Sequence, residues 1–151
     1  MSKFNVSVVH KPLISSVECL TITGMQLALA ESGITWERVK LDDHFFYSPG
    51  WDDWRKIIEY LLPKLPKYYT DIFDCDNSAD WFKVHVAEDF KINTCARVDG
   101  LADVGRGVKE SHAWCTIRDA NSRLLFQLEP QTGVVMDIDD PLYTPHEVTM
   151  G

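Results

Sequence analysis

The segment from Asp71 to Phe82 constrains the fold most, because it places a cysteine where a loop becomes an amphipathic helix. Asp74 is a good N-cap, and the residues after it are apolar at helical spacing: Ala79, Phe82, Val86 and Phe90. We therefore predict a helix that starts beside Cys75 and ends near Asp89. The unpaired N–H groups and the dipole at such an N-terminus lower the pKa of a thiol and can hold an oxyanion.

Two predicted strands follow this helix, and each carries one polar residue that fits a nucleophilic site. Residues 111–118 and 123–129 alternate around a turn, as in an antiparallel hairpin. If the strand ends at 118 and 123 face each other, His112 lies opposite Glu129, with Cβ atoms about 5 Å apart. The carboxylate would then fix the tautomer of the histidine and stabilise its charged form. A bulge would shift this pairing by one residue and separate the two side chains.

Two further residues are candidates for contact with a substrate. Trp114 lies on the same strand face as His112 and would line a groove beside it, although an aromatic residue on a sheet is more often core. Gln131 follows Glu129 closely and is a candidate for a substrate contact or for the second oxyanion donor. The first oxyanion donor would be the backbone N–H of Cys75.

The acidic residues around Cys75 raise the question of a metal ion: Asp71, Asp74, Asp76 and Asp80. Negative neighbours raise the pKa of a thiol, and a protonated His112 or a bound calcium ion would oppose this effect. The spacing does not match an EF-hand loop, because Ala79 stands where that loop has glycine. Such a run more often caps and solvates a helix. Calcium is kept as a hypothesis, no cofactor is required, and no cysteine or histidine pair has zinc-site spacing.

Composition excludes several classes of protein. The chain has 151 residues, 15 Lys and Arg against 23 Asp and Glu, and a formal net charge of −8. No basic patch for nucleic acid and no stretch of membrane-spanning length is present. The N-terminus lacks the features of a signal peptide, and the 4 cysteines are scattered, as free thiols are. We therefore expect a cytoplasmic protein without nucleic-acid or membrane partners.

The chain is predicted to form a single domain over residues 1–151, with a variable part at about 1–33 and an irregular C-terminal tail. Patterns of apolar residues predict helices from Met25 to a stop at Gly33 and from Trp51 to Leu62. Alternation of apolar and polar residues predicts strands at residues 4–9 and 34–41, and strands are also expected at residues 93–98 and 134–138.

The sequence resembles the agglutinin C-terminal family, the papain-like cysteine protease domain of a mushroom lectin that also has stand-alone bacteriophage relatives. The resemblance covers roughly residues 34–138 and rests on three motifs: Asp74-Cys-Asp-Asn-Ser-Ala-Asp-Trp-Phe-Lys, His112-Ala-Trp and Glu129-Pro-Gln-Thr. It implies an α+β, papain-like fold with the nucleophile helix packed on a small antiparallel sheet. The activity of the mushroom relative depends on calcium, which makes the aspartates near Cys75 candidate ligands, although its ligands cannot be matched to this chain residue by residue. The chain departs from the family at Ser78, where related sequences carry a bulky apolar residue.

The resulting functional prediction is a cysteine hydrolase that cleaves a peptide or related amide bond through a thioacyl intermediate. Cys75 would be the nucleophile, His112 the base and Glu129 the carboxylate that orients the base. The substrate would be a peptide or protein, in the host cytoplasm or a phage particle if the chain is viral. The alternative is an inactive papain-like binding or structural module, either a phage particle component or an inhibitor of a host protein. Acyl transfer would use the same three residues.

Overall fold

The computed structural model describes residues 10–151, which form eight strands and three α-helices. The helices are α1 (Ile22–Glu31), α2 (Trp51–Leu61) and α3 (Cys75–Phe90), and a short 3₁₀ helix (Leu62–Lys64) follows α2. The strands are β1 (Val17–Thr21), β2 (Arg38–Leu41), β3 (Phe45–Pro49), β4 (Cys95–Ala102), β5 (Glu110–Arg118), β6 (Leu125–Glu129), β7 (Val134–Asp137) and β8 (Tyr143–Met150).

Six of these strands form one sheet in the order β2-β8-β4-β5-β6-β7, and β1 and β3 form a separate antiparallel pair. Among the described strands of the large sheet, β2 and β8 run parallel and the other neighbouring strands run antiparallel. Successive side chains of a strand point to opposite faces, so β5 contributes to two cores. Its residues Ala113, Cys115 and Ile117 pack with α2 and α3 on one face. Trp114 packs with α1, β3 and β8 on the other face.

The predicted fold class, an α+β papain-like fold with a helix on a small sheet, was wrong. The described residues hold eight strands in two sheets and three helices, so the protein is mostly β. The largest local error is the C-terminal tail, which was expected to be irregular and instead forms β8 between β2 and β4. Pro145 misled the prediction because proline cannot donate to a strand ladder. It is tolerated here because the register between β4 and β8 shifts between Asp99 and Gly100, where Pro145 pairs.

Several local predictions were confirmed. Helix α3 begins at Cys75 and ends at Phe90, and α2 ends two residues before Pro63. Helix α1 ends just before Gly33, whose φ of 80° favours glycine. The strand expected at residues 4–9 lies outside the described residues.

The cysteines are free thiols, as expected: Cys19, Cys75, Cys95 and Cys115. The cytoplasmic location and the single-domain organisation stay predictions. Within residues 10–151, no helix is both long enough and apolar enough to cross a membrane.

Candidate functional site

Cys75 is the first residue of α3, and the residues beside it explain why the helix starts there. Asp74 has extended backbone angles and its carbonyl accepts the N–H of Ser78 at 2.9 Å, which closes the first helical turn. The Ser78 hydroxyl donates to the same carbonyl at 2.8 Å, and Ser78 is buried. The serine that departs from the expected apolar residue therefore reinforces the start of the helix. Cys75 itself is half-buried, and its sulfur faces the sheet residue His112.

His112 on β5 and Glu129 on β6 are in contact, as the sequence predicted. Nε2 of His112 lies 2.7 Å from Oε2 of Glu129, and the two side chains are only 10% and 8% exposed. Because Nε2 is engaged by the carboxylate, Nδ1 is the ring nitrogen left for the Cys75 thiol. The structure thus places Cys75 beside His112 and joins His112 to Glu129 by a hydrogen bond.

The strand register that was used to predict this contact was wrong by two residues. Cys115 pairs with Leu128, and Arg118 pairs with Leu125 rather than with Arg123. The turn is longer than expected, and Arg123 adopts a positive φ of 63° in it. A slip of two residues keeps every side chain on its original face. Contact between the histidine and the glutamate therefore survives as a diagonal one across the two strands.

His112 shifts the pKa of Cys75, and Cys75 and Glu129 together shift the pKa of His112. The hydrogen bond with His112 lowers the pKa of Cys75, and the backbone N–H of Ala113 adds to this against the opposing effect of burial. Burial alone would lower the pKa of His112. Its hydrogen bonds with Cys75 and Glu129 outweigh burial and raise that pKa to about 9. A histidine that stays protonated beside a thiol of lowered pKa favours a thiolate–imidazolium pair at neutral pH.

Glu129 is buried and has a further hydrogen-bond donor that sequence reasoning missed. The hydroxyl of Tyr143 donates to Oε2 of Glu129 at 3.2 Å, and the backbone N–H of Gln131 lies 3.4 Å from Oε1. Tyr143 is the first residue of β8. The sequence does hold a signal for this strand, because apolar and polar residues alternate in part from Tyr143 onwards. The prolines in this segment obscured that signal.

Two clefts meet at the thiol, and we name them the first and the second cleft. Both are lined by Cys75, Ser111 and His112. The first cleft, of about 390 Å³, is polar and is completed chiefly by Glu37, Asp76, Arg97, Asp99, His146 and Glu147. The second, of about 490 Å³, has more apolar residues, including Tyr68, Val104, Met136, Leu142 and Tyr143, and also holds Gln131. The predicted contact of Gln131 with a ligand thus stays a prediction.

Trp114 has a different place from the one expected. It is completely buried, its Nε1 donates to Oε1 of Gln127 at 2.6 Å, and it lines neither cleft. Its ring is stacked on that of His112 with centroids 5.9 Å apart. Trp114 is therefore packing behind the histidine rather than a residue that a ligand could touch.

The aspartates near the thiol are divided between different partners. Asp74 and Asp76 share a hydrogen bond, which raises the pKa of Asp74 and lowers that of Asp76. Ligand atoms of Asp74, Cys75 and Asp76 lie within 4.8 Å of one another. Asp80 is held by Arg97 at 2.7 Å and so belongs to an ion pair. Carboxylate oxygens suit calcium but a thiol does not, so calcium stays a hypothesis with two candidate side chains.

Comparisons with known proteins bear on the fold. No protein-family model matches the chain, and no curated protein matches it. Among similar solved structures, one is described as a PSL1a–E64 complex, with a TM-score of 0.67 and 22% identity. Another is described as Polyporus squamosus lectin bound to the human-type influenza-binding epitope Neu5Aca2-6Galb1-4GlcNAc, with a TM-score of 0.66 and 22% identity. Each match covers 87% of this chain but only 50% and 49% of those chains, so the chain spans about half their length.

These findings contradict the identity and function expected from the sequence. The resemblance to the agglutinin C-terminal family was wrong, since no family model supports it and the similar structures are described as a lectin. The predicted cysteine hydrolase with a peptide or protein substrate was also wrong, since one of the similar structures is described as a lectin bound to a glycan. The alternative, an inactive papain-like module of a phage particle or a host inhibitor, has no support either. Short motifs around reactive residues do not fix a fold or its function.

Proposed function

We propose that the protein transfers an acyl group through Cys75. The observation that carries the proposal is that Cys75 and His112 lie together at the junction of two clefts, with His112 hydrogen-bonded to Glu129. A thiolate paired with an imidazolium is a strong nucleophile at neutral pH. Two clefts that meet at the sulfur offer separate approaches for an acyl donor and an acyl acceptor.

In the first half of the reaction, the Cys75 thiolate attacks the carbonyl carbon of the donor and forms a carbon–sulfur bond. The first turn of α3 leaves backbone N–H groups without helical acceptors, and these stabilise the negative charge on the carbonyl oxygen. His112 gives its proton to the leaving group as the bond to that group breaks. The products are a thioester on Cys75 and a neutral His112.

In the second half, a hydroxyl or amine of the acceptor attacks the thioester. His112 removes the proton of the acceptor, the carbon–sulfur bond breaks, and the acylated acceptor leaves. The thiolate–imidazolium pair is restored. Glu129 keeps Nδ1 of the ring directed at the sulfur throughout, because it holds Nε2 at 2.7 Å.

The test uses p-nitrophenyl acetate as donor and n-butylamine as acceptor. We expect a burst of p-nitrophenolate equal to the amount of protein, one acetyl group on Cys75 by mass spectrometry, and N-butylacetamide as product. Cys75→Ala should lose the burst and the acetyl group, and should form N-butylacetamide only at the rate of the uncatalysed reaction. Cys19→Ala, which removes an exposed thiol away from the clefts, should keep them. A wild-type protein that carries no acetyl group on Cys75, or that releases only acetate, would rule out acyl transfer.

Carbohydrate binding in the first cleft is a second candidate function, favoured by the glycan named with a similar structure. The cleft offers carboxylates and a guanidinium, which can accept from and donate to sugar hydroxyls: Glu37, Asp76, Asp99, Glu147 and Arg97. Its four carboxylates outnumber its one guanidinium, so an uncharged sugar fits this cleft better than a sialylated one. A sugar hydroxyl bound there would also lie next to the thiol as an acyl acceptor.

Calorimetric titration with an uncharged sugar and its sialylated form tests carbohydrate binding in the first cleft. We expect Galβ1-4GlcNAc to bind and its sialylated form to bind several-fold more weakly. Glu37→Gln should weaken binding of the uncharged sugar, whereas Glu31→Gln, outside the cleft, should leave it unchanged. No heat with either sugar, or tighter binding of the sialylated one, would exclude this cleft as the carbohydrate site.

A further inference from the structure

Tyr143 lies against the buried side of the Cys75 site, where it contacts Glu129 rather than the thiol. Its hydroxyl is 3.2 Å from Oε2 of Glu129, the same oxygen that His112 Nε2 approaches at 2.7 Å. An ionised carboxylate can only accept hydrogen bonds, so the phenol must be the donor. Burial and the charge of Glu129 both raise the pKa of Tyr143, which keeps the phenol protonated. One carboxylate oxygen therefore receives two donors.

The other oxygen of Glu129 is held less firmly. Among the described residues its hydrogen-bond partner is the backbone N–H of Gln131, at 3.4 Å. Without the phenol, the orientation of the carboxylate would depend on that long contact and on His112 alone. Tyr143 thus supplies the second firm point that stops the carboxylate from rotating.

The tyrosine hydroxyl is itself fixed in place. Its ring packs edge-on against Trp114, with centroids 5.0 Å apart, and Trp114 is stacked on His112. The backbone of Tyr143 pairs with Ala102 of β4, and the residue is 9% exposed. Strand pairing and ring packing together set where the hydroxyl lies.

From this geometry we propose that Tyr143 is a positioning residue for the Cys75 site, holding the Glu129 carboxylate in the orientation that directs His112 at the sulfur. This inference rests on the proposed nucleophilic function of Cys75. Loss of the hydroxyl leaves the carboxylate less well aligned with the imidazolium. The thiolate then loses part of its stabilisation, and the ionisation of Cys75 moves to higher pH.

The test is the rate of Cys75 alkylation by iodoacetamide as a function of pH, followed by mass spectrometry. We expect Tyr143→Phe to move the midpoint of this profile upward by roughly one pH unit. Tyr60→Phe is the matched control: Tyr60 packs edge-on against Phe90, outside the site, with centroids 5.7 Å apart. The control should leave the profile unchanged.

A second pair of variants tests whether Tyr143 acts through the carboxylate. In a Glu129→Gln background, Tyr143→Phe should cause little further shift. An equal shift in both backgrounds, or a lower melting temperature with an unchanged profile, would overturn the positioning role. A different result would contradict the proposed function of Cys75 itself. In that case, Cys75 of the wild-type protein would be alkylated no faster than Cys19.

Discussion

At the scale of single residues, His112 is central to the proposed chemistry because it contacts two partners, Cys75 and Glu129. One ring nitrogen is bound to Glu129 and the other faces Cys75, so the charge on the ring stabilises the thiolate and is stabilised by the carboxylate. A histidine pKa of about 9 means that the ring loses its proton only when the pH rises through that value. Below it, a proton is available for a leaving group.

The pH dependence of the proposed acyl transfer follows from this ionisation. With ethyl acetate as donor, the leaving ethoxide needs a proton, so the rate should fall as the pH rises above about 9. Glu129→Gln removes the negative charge that raises the pKa of His112, and the fall should begin at lower pH. Initial rates measured from pH 6 to 10 test this. Identical profiles for the two proteins would show that Glu129 does not control the base.

At the scale of secondary structure elements, the pairing of β4 with β8 brings Tyr143 and the first cleft to the site. The register shifts beside Gly100, which pairs with Pro145 on one side and with His112 on the other. A Cβ atom at Gly100 would overlap the carbonyl oxygen of Thr144 and lie 2.9 Å from the ring of Trp114. Only glycine lets the two strands approach this closely.

Gly100→Ala should therefore destabilise the protein by about 2–3 kcal/mol, because backbone atoms must move to admit the methyl group. Alkylation of Cys75 should slow as well, since Gly100 is the direct neighbour of His112 on β4. Urea unfolding measures the first effect. In Gly24→Ala, the new Cβ has no neighbour closer than 3.5 Å in α1, so stability should stay equal or rise by up to about 1 kcal/mol. Equal stabilities of the two variants would contradict the close approach.

At the scale of the whole molecule, Arg118 joins the small sheet and α2 to the large sheet. Its carbonyl accepts the hydroxyl of Ser48 and Nε1 of Trp54, each at 2.7 Å. Its side chain is 4% exposed, and its guanidinium contacts Glu18 at 3.3 Å. Within residues 10–151, its Nε and Nη1 atoms have no hydrogen-bond partner. The carboxylate of Glu18 is thus the main group that stabilises the buried positive charge of Arg118.

A double-mutant cycle tests the ion pair between Glu18 and Arg118. Glu18→Ala should lower the free energy of unfolding by about 1 kcal/mol, a modest cost because Glu18 is 38% exposed and water screens the pair. In an Arg118→Met background, the same change should cost almost nothing, since no buried charge then needs a partner. Urea unfolding of the four proteins gives the coupling energy. Equal costs in both backgrounds would show that the pair is not coupled.

Local patterns in the sequence were sufficient for α3, for the position of Cys75 at its start, and for the shared face of His112 and Glu129. Helical spacing and strand alternation act over a few residues, and a register error of two preserves the face of each side chain. The place of Trp114 could not be read in this way, because alternation says which face a residue is on but not what covers that face.

The sequence by itself therefore determined which side chains could meet at the thiol, whereas the tertiary structure alone decided the fold class, the two clefts and the role of Tyr143. These depend on β8, which lies between β2 and β4 although β4 is about forty residues earlier in the chain and β2 about a hundred. The local sequence of a strand gives little indication of such a distant partner. The pairing is set instead by the burial of two sheet faces and by the register shift at Gly100.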